Sequence, residues 1–165
     1  MMNSREALIQ RRRQLQVQLR HDEESAPVAD LIAALEAAGD DYRLIWAEES
    51  AAHPDLALLA RAPLRSSRID WEGMRDVRAF AAADEEAAAD AMVAALNMLA
   101  QGSLKLTVTW GNGRTPSLIL QRATAEAHMP LIADADFEVW IFDPAQDWVI
   151  ESKRREGVCA GRLPA

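Results

Sequence analysis

Apolar and polar residues alternate at every step from Leu104 to Trp110, and the run ends in Gly111-Asn112-Gly113. Period two over this length predicts a half-buried β-strand, and Asn-Gly directly after it predicts a hairpin. Phe137–Asp143 and Asp147–Glu151 predict a second hairpin around Pro144-Ala145-Gln146. Together the pattern gives about five antiparallel strands, over 104–110, 117–122, 137–143, 147–152 and 157–162. Placing Phe142 opposite Trp148 sets Trp140 opposite Ile150, with Ile141 and Val149 on the other side. Both sides are apolar near the turn, so this hairpin is expected to be central or covered on both faces.

The first two thirds of the chain change period. Leu8, Leu15 and Leu19 share a helical face after Ser4, which predicts a helix over 5–20 with Ser4 as its N-cap. His21-Asp22-Glu23-Glu24 reads as a break, and Ser25-Ala26-Pro27 as a new start capped by Ser25. Val28, Leu31, Ile32 and Leu35 then form the stripe of a second helix over 28–38, stopped by Gly39. Tyr42–Trp46 is β-prone and reads as a strand, and Pro54–Arg61 as a short helix. Residues 62–82 show no clear period, although Arg68–Trp71 has strand character. Asp84-Glu85-Glu86 opens the clearest helix, 84–101, whose buried stripe is Ala89, Met92, Val93, Leu96, Leu99 and Ala100. Helices ahead of an antiparallel sheet make an α+β fold, expected here as one domain over residues 1–165.

Composition narrows the class. Half of the 165 residues are apolar and 27% are charged, the balance of a globular chain with a substantial core. Five Trp stand against one Tyr and three Phe, so tryptophan is expected to carry much of the core or of an interface. No apolar run approaches the ~20 residues that span a bilayer, and no apolar segment follows the N-terminal arginines as in a signal peptide. The lone Cys159 suits a reducing, cytoplasmic setting.

Charge is distributed unevenly. Residues 1–20 hold five Arg and one Glu, residues 21–102 carry a net charge of −11, and residues 103–165 a net charge of −1. So acidic a middle argues against nucleic acid as partner and for a protein with a basic surface. The basic first helix is either a docking arm or a solvated face.

Candidate chemistry is sparse. Gly111–Gly113 lacks the P-loop frame and lies between strands. Asp134, Asp136, Glu138, Asp143, Asp147 and Glu151 cluster in sequence without calcium-loop spacing or a nearby His. His21, His53 and His128 are scattered, and a pairing of Cys159 with His128 would need the fold to bring them together. No catalytic residue, metal ligand or cofactor is therefore assigned. Aromatics set among charges are common at interfaces, which selects Asp40, Asp41, Tyr42, Trp46, Glu48 and Glu49 as a protein-binding patch. The expected function is a small acidic protein-binding protein, of the immunity or antitoxin kind. The alternatives are an adaptor or regulatory subunit of a larger bacterial assembly, and an enzyme whose site is assembled from distant residues.

Overall fold

The computed structural model describes residues 4–66 and 68–165, and the Ser4 cap lies outside the described side chains. Helix α1 (Ser4–Ser25) passes through a 3-10 turn (Ala26–Val28) into α2 (Ala29–Ala38). Strand β1 (Tyr42–Ile45) and the single turn α3 (Ala47–Ser50) follow. Beyond two 3-10 turns come the short ladder of β2 (Leu64–Arg65) with β3 (Arg68–Ile69), a 3-10 turn at Trp71–Gly73, and β4 (Arg75–Phe80). Helix α4 (Glu85–Leu99) leads to β5 (Lys105–Trp110), β6 (Ser117–Gln121), α5 (Arg122–Ala127), α6 (Met129–Asp134), β7 (Glu138–Phe142), β8 (Trp148–Lys153) and β9 (Gly157–Arg162).

The fold is α+β. A seven-stranded antiparallel sheet runs in the order β1-β6-β5-β7-β8-β9-β4. The five strands expected from 104 onward are all present, and β1 and β4 extend the sheet at its two edges. Strand β4 reads Arg-Asp-Val-Arg-Ala-Phe, too polar for its period to show. It is also irregular: its register against β9 shifts between Arg75 and Arg78, and Asp76 there adopts φ 52°.

Several expected boundaries move. There is no break at 21–24: α1 continues to Ser25, whose side chain makes no cap bond and whose backbone is helical. His, Asp and Glu continue a helix at little cost, and the redirection comes at Pro27 instead. Pro54–Arg61 forms two separate 3-10 turns rather than one helix. Residues 122–134, read as connection, fold into α5 and α6. The second hairpin is one residue out of the expected register: Phe142 faces Val149, Ile141 faces Ile150 and Trp140 faces Glu151. The Asp143 carboxylate accepts from the Ala145 N–H and its carbonyl from the Gln146 N–H, which sets a four-residue loop over 144–147. A one-residue slip exchanges the faces of a strand, so Trp148 lies on the side opposite Phe142.

Helices α2, α4 and α6 cover one face of the sheet. Leu31, Leu35, Met92, Leu96 and Ile132 pack there against Leu106, Val108, Leu118, Ile141, Trp148 and Ile150. Asp84 caps α4 by accepting from the Ala87 N–H at 2.8 Å, and Gly39 ends α2 with φ 70°. The opposite face carries a smaller cluster, in which Leu58, Ala62, Ile69 and Met74 pack on Phe142 and Val149. The β7–β8 hairpin is thus central and covered on both sides, as its two-sided apolar pattern requires.

Candidate functional site

The acidic strip around β1 is drawn inward, toward partners in the same chain. Asp40 Oδ2 lies 3.1 Å from His128 Nε2, and Tyr42 donates its hydroxyl to Glu36 at 3.0 Å. That bond and burial beside the Glu36 carboxylate hold the Tyr42 phenol above its ordinary pKa, with burial the larger cause. Glu49 accepts from the Trp46 backbone N–H at 3.1 Å and closes the first turn of α3. Glu48 Oε1 accepts from Arg20 Nη2 at 2.8 Å and lies 3.0 Å from His21 Nε2. The His21 bond, above all, holds this carboxyl below its usual range. Trp46 stacks flat on His21, with ring centroids 3.7 Å apart and planes 5° apart. Asp41 is exposed at the start of β1. Of the six patch residues, Trp46 and Glu48 thus meet at one point, where they grip the last turn of α1.

What they grip stands clear of the body. Every side chain from Arg5 to Arg20 is exposed, including Leu8 at 66%, Leu15 at 57% and Leu19 at 68%. Five of the nine exposed large apolar residues among those described lie on this one helix: Leu8, Ile9, Leu15, Val17 and Leu19. Strong helix formers fill it, which lets a helix persist without a packed face. Scattered exposed leucines need no explanation, but a row of them on one helix sets this surface apart from the rest of the described residues.

His21, Glu24 and Glu48 bring possible ligand atoms within 4.8 Å of one another. Arg20 already occupies Glu48 and supplies the positive charge, so the group works as an ion cluster at the root of α1.

On the sheet's second face, sequence reasoning missed a more buried arrangement. Glu151, 3% exposed, receives the indole N–H of Trp71 on Oε2 at 2.9 Å and that of Trp140 on Oε1 at 3.0 Å. Lys153 Nζ lies 3.3 Å from the same carboxylate. Cys159 sits directly opposite Glu151 in the ladder. Burial, then the Glu151 charge, pushes its thiol pKa up, which leaves it protonated and a poor nucleophile. His128 is occupied by Asp40 on the helical side of the sheet, so the fold does not make a Cys159–His128 pair. The available signal was an acid inside the strand Trp148–Lys153, apolar on both faces: such a charge must find partners.

The remaining C-terminal acids are dispersed by the fold. Asp134 pairs with Arg154, Asp136 accepts from the Asn112 N–H, Glu138 approaches Lys153, and Asp147 binds Arg75 and Arg162. A cleft of about 320 Å³ opens between the start of α4 and the β8–β9 turn, beside Phe137. Its Arg154 is spent on Glu85 at 3.3 Å, on Asp134 and over the Phe137 ring. Among the described residues, no helix is long and apolar enough to cross a membrane. No protein-family model matches the chain, and no curated protein matches it.

Proposed function

We propose that the protein acts by binding another polypeptide, with α1 as its docking element, in the manner of an adaptor or regulatory subunit. One observation carries the reading: among the described residues, more than half of the exposed large apolar side chains project from a single helix, α1, whose side chains from Arg5 to Arg20 are all exposed. An amphipathic helix presenting such anchors is a common recognition device. The Trp46–His21–Glu48 grip holds the arm at its root. The lone Cys159, kept protonated, suits a cytoplasmic setting.

A second reading, an inhibitor of the immunity or antitoxin kind, draws on the net charge of −11 over 21–102. Such a field speeds capture of a basic partner. Asp41 and the outer sides of Glu48 and Glu49 would face that partner.

The test is photo-cross-linking in the native host, with p-benzoylphenylalanine placed in turn at Leu8, Leu15, Lys105 and Asp41. Discrete adducts from positions 8 and 15 alone support docking through α1. Adducts from 41 alone move the contact to the acidic strip, and no adduct from 8 or 15 overturns the α1 reading.

A further inference from the structure

We propose that α1 docks on α1 of a second copy of this chain, as an antiparallel, two-fold symmetric pair. This rests on the docking reading above and names the occupant of that surface. At the helical repeat of ~3.6 residues, Leu8, Leu15 and Leu19 fall within about 40° of one another. They form one narrow stripe, the geometry of a coiled-coil seam. His21 and Glu24, which face the body, project from roughly the opposite side of the helix. A second helix can therefore lie along the stripe without meeting the sheet or its covering helices.

Charge selects the partner and its direction. The first half of α1 carries Arg5, Arg11, Arg12 and Arg13 against Glu6, and the second half carries Asp22, Glu23 and Glu24 against Arg20. Asp22 and Glu23 are exposed, although Asp22 also accepts from Gln18 Nε2 at 2.7 Å. A helix with one basic and one acidic half complements a reversed copy of itself. Setting Leu8 against Leu19 of the second copy puts the two-fold axis between residues 13 and 14 and lays each Leu15 against the aliphatic stem of Arg12 of the second copy. The same register lays Arg5 beside Glu23 of the second copy at both ends, and Arg11 and Arg13 opposite glutamines rather than arginines. The long arginine stems flank and cover the leucines. A parallel pair would instead stack Arg5 on Arg5 and acid on acid. Each contact of the antiparallel pair is made twice, as a closed isologous interface requires.

Three leucines per helix make a short seam, so association must depend on concentration. Sedimentation equilibrium of the full chain, from low micromolar to submillimolar, should show the mass rising from 18.2 kDa toward twice that value. Replacing Leu8, Leu15 and Leu19 together with Ser should hold it at monomer with an unchanged near-ultraviolet tryptophan spectrum of the body. Arg5→Glu and Glu23→Arg should each weaken the dimer several-fold, and the two combined should restore it. A monomer at every concentration overturns the proposal, as does a dimer that survives the triple substitution. An Arg5→Gln variant that associates more tightly points to a parallel pair, in which Arg5 meets Arg5, and also overturns it. In the photo-cross-linking experiment, adducts from 8 and 15 at twice the chain mass agree with self-pairing. Adducts of another mass alone reject the second copy yet leave α1 a docking element, and no adduct removes both.

Discussion

Trp71 and Glu151 stand 80 residues apart in the sequence, yet the indole N–H of one donates to the carboxylate of the other at 2.9 Å. With Trp140 on the second oxygen, a single acid fastens the Trp71–Gly73 turn onto the middle of the sheet. Replacing Glu151 with Ala strands two indole donors and removes the partner of Lys153. The expected cost is about 3 kcal/mol in urea unfolding. Glu151→Gln keeps an acceptor for one indole and should cost about half as much. Equal, negligible losses for both would show that the carboxylate does not hold the turn.

Trp148 is fully buried against the helical layer, and its indole nitrogen has no hydrogen-bond partner. Trp148→Ala should cost about 3–5 kcal/mol through the cavity it leaves. Trp148→Phe removes the unsatisfied donor along with some volume, so it should cost well under half of that. Thermal melting of the two variants separates the volume effect from the polar one.

Gly157 opens β9 with φ 102°, and a Cβ there would sit 2.5 Å from the Phe80 carbonyl oxygen. Gly157→Ala combines a left-handed backbone with a collision against the neighbouring strand. A loss of about 3 kcal/mol is expected, with the β4–β9 amides losing hydrogen-exchange protection first.

Asp147 shows how pH enters. Burial pushes its carboxyl up, but the Arg162 and Arg75 guanidinium groups outweigh that and hold it below the ordinary value. A depressed carboxyl contributes stability that is complete above its unfolded pKa of ~3.9 and fades as pH falls through the folded value. Asp147→Asn should therefore lower stability at neutral pH and flatten the loss of stability below about pH 4. Parallel acid-unfolding curves for the two proteins would rule this out.

Much of the sheet was legible because its strands repeat every two residues, and α2 and α4 because their stripes repeat every 3.6. Register was not, since it hung on whether the loop after Asp143 holds three or four residues, which a carboxylate-to-amide bond decides. Strand β4 was not, because pairing with β9 makes a strand of a segment with little period of its own. Helices α5 and α6 stayed hidden because six residues each are too few to display a stripe. At the acidic strip, sequence grouped Asp40 to Glu49 by proximity and saw neither His21 nor Arg20, which arrive from the preceding helix. Glu151 was noticed as one of a run of acids, while its two tryptophan donors come from other strands and turns.

The irregular pairing of β4 has a consequence for how the molecule keeps company. An outer strand with a straight row of free amides and carbonyls is a template on which further strands can be laid. Here the row is kinked at Asp76 and flanked by Arg75 and Arg78, while the opposite border, β1, offers only four residues with Arg43 exposed among them. Both borders thus carry the features that discourage edge-to-edge pairing, and the large sheet ends where its own chain ends it.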